Sequence, residues 1–109
     1  MESRKKNALE PRWGWNIHPG EILREEFLKP MGISVYALAR QIHLTRSRVN
    51  DIARERRAIT ADSALRLARF FGTTPQFWMN MQASYELRKA ENEIGSKLSE
   101  IEPATKRVA

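Results

Sequence analysis

The chain has 109 residues, 41% of them hydrophobic and 29% charged, a balance that suits one small soluble domain with a single core. It has no cysteine, which excludes disulfides and thiolate metal sites, and it carries a net charge of +6. No apolar run approaches bilayer-spanning length and the opening MESRKKNALEPR lacks the apolar stretch of a signal peptide, so a cytoplasmic protein with no membrane segment is expected.

Residues 1–16 read as a flexible leader. Trp13 and Trp15 are unusual there, since large aromatics seldom stay exposed without a partner; they are expected to dock on the domain or to mark an interface. His18-Pro19-Gly20-Glu21 then opens a first helix. Proline fits the first helical position, where its missing N–H is not needed, and Glu21 suits the positive end of the helix dipole. Ile22, Leu23, Phe27 and Leu28 give its buried side, and Pro30 and Gly32 are expected to close it. His18 has no carboxylate or second histidine at ligand spacing, so it reads as a cap or core residue.

From Ser34 to Arg54 the chain reads as two short helices joined by a tight turn. Leu38, Ala39 and Ile42 share one helical face; Val49, Ile52 and Ala53 share another after the break His43-Leu44-Thr45. Ser34 and Thr45 are short hydroxyl residues placed to cap the two helices. With Val49, Ile52 and Ala53 inward, Ser47, Asn50, Asp51 and Arg54 face outward, flanked near the helix start by Arg46 and Arg48. Arginine can bond guanine bidentately and asparagine can do the same with adenine, so a helix with this outer face suits the major groove of DNA. The same apolar spacing also serves a plain pair of packed helices with no nucleic-acid role.

Glu55-Arg56-Arg57-Ala58 leaves that helix with two adjacent arginines, whose natural use beside a groove is phosphate contact. Thr60 caps the next helix, whose apolar face is Ala64, Leu65, Leu67, Ala68 and Phe71, and Gly72 ends it. Thr74-Pro75 starts a last helix. Phe77, Trp78, Met81 and Tyr85 complete the core. Leu87, Ala90, Ile94, Leu98 and Ile101 form a later stripe that so small a core cannot cover, and it reads as an association surface or as a helix folded back on its own domain. Gly95 weakens this helix and Pro103 is expected to stop it. The division is therefore a leader at 1–16, an all-α five-helix domain at 17–102 with a dimerisation helix from about 75, and a flexible tail at 103–109.

Charge is uneven along the chain. Between Arg40 and Arg69 eight arginines stand against Asp51, Glu55 and Asp62, a local net of +5, whereas Pro75 to Glu102 nets −2. A basic centre and a mildly acidic end suggest two surfaces with two tasks, although a charged stretch can also be merely a solvated face.

The two-helix segment resembles the helix-turn-helix of phage repressors and XRE-type regulators. Ala39 falls where that motif wants a small residue, and Val49 and Ile52 fall on its inward positions. His43 stands where the turn usually has glycine; histidine visits the left-handed region more readily than most residues. With HPGEILREEFLKPMGIS (His18 to Ser34) and ITADSALRLARFFGTTPQFWMNMQASYEL (Ile59 to Leu87), the resemblance narrows to the HigA-type antitoxins of bacterial toxin–antitoxin pairs, over about residues 17 to 95. It implies a five-helix dimer that represses its own operon at a palindromic operator and neutralises an mRNA-cleaving toxin similar to RelE or HigB. By the same resemblance Thr45, Arg46, Ser47, Arg48 and Asn50 read DNA. Tyr36, Arg40, Arg54, Arg56, Arg57 and Thr60 touch its backbone, and the segment from Pro75 pairs two copies through Leu87, Ala90, Ile94 and Leu98.

Two histidines, no cysteine, no Gly-rich phosphate loop and no paired acid–base constellation argue against an enzyme, and no cofactor or metal is expected. A stand-alone XRE-type transcriptional regulator with no toxin partner would have the same DNA-binding half, and a pure protein-binding module is a third reading.

Overall fold

The computed structural model describes residues 16–105, so Trp13, Trp15 and most of the leader lie outside the described residues. Five helices and no strand lie between Pro19 and Leu98, the all-α five-helix architecture expected. Helix α1 runs from Pro19 to Met31 in three continuous pieces: an α turn Pro19–Ile22, a π-helical stretch Leu23–Leu28 and a final α turn Lys29–Met31. It is followed by α2 (Val35–Ile42), α3 (Arg46–Ala53), α4 (Ala61–Phe71) and α5 (Pro75–Leu98).

Each helix start is set locally. His18 Nδ1 accepts the Gly20 N–H at 2.8 Å, and the Ser34, Thr45, Thr60 and Thr74 hydroxyls each accept the N–H three residues on. Thr60 and Ser63 bond reciprocally as a capping box. Gly32 and Gly72 end α1 and α4 at φ of 66° and 75°. Pro30 does not close α1, contrary to its reading as a stop. The helix carries it inside its last turn, after the wider π stretch. That stretch lies where an α ladder must give way, because proline has no N–H and crowds the carbonyl four residues back. Pro103 is not what stops α5 either: the helix runs through Gly95 and ends at Leu98.

The core gathers Leu23, Leu38, Val49, Leu67 and the fully buried Trp78, with Ile22, Leu28, Ile42, Ile52 and Ile59 around them. Trp78 packs against Phe27 at 5.2 Å and Phe77 at 5.1 Å between ring centroids, and Phe27 meets Phe71 at 4.8 Å. Its indole N–H donates to Thr73 Oγ1 at 2.8 Å, so the polar end of the largest core side chain is satisfied. Buried Gln82 joins α5 to the loop before α4, its Oε1 accepting the Ile59 N–H at 2.8 Å and its Nε2 donating to Glu86. Leu65 is the exception on α4. It was expected inward but is 58% exposed, because it sits at the edge of the stripe formed by Ala64, Leu67 and Ala68 and no helix covers that side.

Helices α2 and α3 pack on each other, α2 also on α4, α4 on α5, and the start of α1 on both α3 and α5. The α1–α3 contact is backbone on backbone. A Cβ built on Gly20 would lie 1.9 Å from the Ile52 carbonyl oxygen. Beyond Tyr85 every residue of α5 except Ala90 is exposed, so its second half projects past the core.

His18 is both cap and core residue: it is buried, and its ring meets Tyr85 edge-on at 4.8 Å. Burial pushes its pKa below the ordinary 6.5, with Glu55 and Glu86 opposing and Lys89 assisting.

Two outcomes are expected. Gly20→Ala should lower stability by about 1–3 kcal/mol in thermal or urea unfolding, because the Ile52 carbonyl must move. Alanine ordinarily favours a helix over glycine by about 1 kcal/mol, so the sign of the change isolates the contact. His18 binds its proton less readily in the fold than in the unfolded chain, so its contribution to stability is complete above 6.5 and is lost as the pH falls below that value. His18→Asn keeps a capping side chain and should flatten the stability profile between about pH 7 and pH 5.

Candidate nucleic-acid interface

The turn between α2 and α3 places the recognition surface. His43 adopts φ 60° and ψ 43°, the left-handed conformation the turn requires. The His43 and Leu44 N–H groups both close back on the Ala39 carbonyl. The exposed carbonyls at the end of α2 are then taken by Arg66 of α4, whose Nη1 donates to Ile42 O at 2.8 Å and His43 O at 3.2 Å. Arg66 is itself paired with Asp62 one turn earlier.

A second arginine holds the C-terminal end of α3. Arg24 of α1 donates through Nη1 to the Ala53 carbonyl and pairs through Nη2 with the Glu55 carboxylate at 3.3 Å. Glu55 stands at φ 65°, a non-glycine residue in the left-handed region, where the chain turns sharply away from α3. Nothing in the sequence pattern pointed to Arg24 or to the capping role of Arg66. The Asp62–Arg66 spacing of four is legible, but the carbonyls Arg66 reaches lie more than twenty residues away.

With this end and the preceding turn held, Val49, Ile52 and Ala53 are buried and the opposite side of α3 is open. Arg46 and Ser47 are exposed at its N-terminus, Asn50 is half-buried beside them, and Arg54 is exposed at its end. Thr45 is exposed, and its oxygen accepts the Arg48 N–H at 3.2 Å, which leaves its hydroxyl proton free to donate outward. The Arg46 guanidinium lies 5.4 Å from the centroid of the exposed Tyr36 ring, so two residues from different helices form one stacked unit. Arg48 sits differently: it is half-buried, and its Nε is shut off from solvent with no hydrogen-bond partner among the described residues.

Arg40 is exposed in the last turn of α2, and Arg56 and Arg57 are exposed in the loop after α3. The two loop arginines lean toward Asp51 at 3.7 and 3.9 Å, loose pairs in solvent that leave both guanidinium groups largely available. Thr60 is exposed, with its hydroxyl engaged in the cap of α4. Glu55 is paired with Arg24, and Asp51 is the acid that faces Arg56 and Arg57. Of the later α5 stripe, Ala90 borders a groove that Arg56 and Arg57 also line. Leu87, Ile94 and Leu98 are 65%, 42% and 44% exposed, and Ala90 is half-buried. No group of three or more metal-ligating side chains occurs among the described residues, and no helix there is long and apolar enough to cross a membrane.

The helix-turn-helix family matches this chain over residues 25–78, which spans α2, α3 and α4. Virulence-associated protein I of Dichelobacter nodosus is 61% identical over 77 residues, 71% of each chain. Antitoxin HigA-1 of Vibrio cholerae is 36% identical over 87 residues, covering 80% of this chain and 82% of that one. The structure of Pseudomonas aeruginosa antitoxin HigA with the higBA promoter superposes with a TM-score of 0.78 at 53% identity, covering 81% of this chain and 97% of that one. The chain belongs to the XRE-type helix-turn-helix regulators, in their branch of HigA-type antitoxins.

Proposed function

We propose that this chain is an antitoxin and autorepressor: a homodimer binds a palindromic operator in duplex DNA, and the same protein neutralises a cognate mRNA-cleaving toxin of the RelE/HigB type. The observation that carries the DNA reading is the open face of α3, whose C-terminal end is held by Arg24 and whose preceding turn is held by Arg66, presenting Arg46, Ser47 and Asn50. A helix already fixed in position loses little freedom on entering a groove. Arg46, stacked on Tyr36, and Asn50 supply the two bidentate readers of guanine and adenine. Thr45, Ser47 and Arg48 complete the reading set. Arg40, Arg54, Arg56 and Arg57, with Tyr36 and Thr60, serve the phosphates, which set affinity and its salt dependence. The P. aeruginosa relative, solved with the higBA promoter, supports DNA binding.

Two-fold pairing follows from the reach of one short helix, which reads only a few base pairs. A dimer doubles the site and spaces the recognition helices about 34 Å apart. The exposed Leu87, Ile94 and Leu98 on the projecting half of α5, with Ala90 between them, supply the surface. The toxin reading rests on the relatives, and purification from the native host tests it. A co-purifying small ribonuclease is the expected partner; a protein that binds its own upstream region yet never retains such a partner is the stand-alone regulator.

Replacing Arg46 or Asn50 with alanine should weaken operator binding by about 1–3 kcal/mol each, measured by titration at fixed salt. Unchanged affinity in a folded double variant would remove α3 as the reader. Leu87→Glu combined with Ile94→Glu should give monomers with weak operator binding, since burying each large apolar side chain is worth about 1.5–3 kcal/mol. Sedimentation equilibrium decides this, and a variant still dimeric at micromolar concentration places the interface elsewhere.

A further inference from the structure

Arg46 differs from its neighbouring arginines in what it touches. Arg24 and Arg66 are paired with acids and donate to carbonyls, and Arg56 and Arg57 lean toward Asp51. The Arg46 guanidinium carbon lies 5.4 Å from the centroid of the Tyr36 ring, and Arg46 makes no ion pair or side-chain hydrogen bond among the described residues. That difference matters for reading a base. A carboxylate takes up the N–H groups along the edge of a guanidinium, which are the groups that guanine O6 and N7 accept. An aromatic ring attracts the cation through its π face and leaves those donors unspent. An arginine with no such support loses rotamer freedom when it docks, and it reaches a phosphate as readily as a base.

The platform under Arg46 is fixed. Tyr36 lies in the first turn of α2 and Arg46 begins α3, so the turn between the helices sets their spacing. His43 holds that turn by its left-handed conformation, and Arg66 bonds the Ile42 and His43 carbonyls. Tyr36 itself is 53% exposed, while Leu38, Ala39 and Ile42 bury the other side of α2. The ring is therefore not needed for the core, and it stands on the surface that α3 presents.

We propose that Tyr36 is a positioning residue for base reading: its ring holds Arg46 with the guanidinium donors free and so sets the discrimination at the guanine that Arg46 contacts. The hydroxyl is left for phosphate contact, so ring and hydroxyl have separate tasks. This inference rests on the DNA reading of α3.

The test titrates the full chain at fixed salt against a duplex from the region upstream of its own reading frame, and against the same duplex with each G·C pair changed in turn. Arg46→Ala marks the base pair that Arg46 reads, by loss of discrimination there. Tyr36→Leu should lower discrimination at that same pair roughly two- to fivefold and leave the other pairs as they were. Tyr36→Phe keeps the ring, so it should keep that discrimination and weaken binding to all the duplexes alike. Tyr36→Leu added to Arg46→Ala should change nothing further at that pair. Without DNA, nuclear magnetic resonance should show a ring-current shift on the Arg46 side-chain protons that Tyr36→Phe keeps and Tyr36→Leu abolishes, while the Leu38 and Leu67 methyl signals hold. Discrimination or Arg46 resonances unchanged in Tyr36→Leu overturn the proposal, as does a Tyr36→Phe variant that behaves like Tyr36→Leu. So does an Arg46→Ala variant that relaxes no base pair. A wild-type chain that binds no duplex removes the DNA reading and this inference with it, an outcome distinct from a chain that discriminates bases equally well without the ring.

Discussion

The recognition helix is positioned by a contact that has no room for a side chain. The Ile52 carbonyl near the end of α3 lies against Gly20 in the first turn of α1, at a distance no Cβ would allow. Packed backbone allows far less slack than packed side chains, which can change rotamer. The contact also orders its surroundings. His18 caps the same turn through the Gly20 N–H, and Tyr85 of α5 packs on the His18 ring. The HPGE opening is thus a bracket that ties α3 to α5.

The arginines divide into two groups with different work. Arg24 and Arg66 are spent inside the protein, each donating to backbone carbonyls at a helix end and each paired with an acid. Carbonyls at a helix C-terminus have no partner in their own helix, and a guanidinium satisfies them while matching the negative end of the dipole. Arg40, Arg46, Arg54, Arg56 and Arg57 remain exposed around α3. The basic centre seen in composition is therefore part scaffold, in Arg66, and part surface, and the surface part surrounds α3, whose end Arg24 holds from outside that stretch.

Helix α5 likewise has two halves. Phe77, Trp78, Met81 and Gln82 close the core, and Gln82 fastens the loop after α3 through the Ile59 N–H. Past Tyr85 the helix leaves the body of the domain carrying Leu87, Ile94 and Leu98 into solvent. Apolar side chains repeated along one side of a helix with nothing over them favour association. An extension of α5 therefore projects a sticky surface without disturbing the fold that carries the α3 face.

What the sequence determined by itself was local. The caps at Ser34, Thr45, Thr60 and Thr74 and the stops at Gly32 and Gly72 depend on near neighbours in the chain and were legible from spacing, whereas the left-handed His43 was legible only through the resemblance to the helix-turn-helix motif. So were the inward faces of α2 and α3, because helical periodicity is a local property. The tertiary structure decided what depends on distant neighbours. Pro30 stays helical and Leu65 stays exposed because of the helix register and the elements that do or do not cover them. The backbone partners of Arg24, Arg66 and Gln82 lie more than twenty residues away, and hydrogen bonds to a backbone carbonyl or N–H leave no trace in the partner's identity. The closeness of Gly20 to Ile52 is of the same kind: the sequence shows a glycine, and only the packed fold shows what fills the space its side chain lacks.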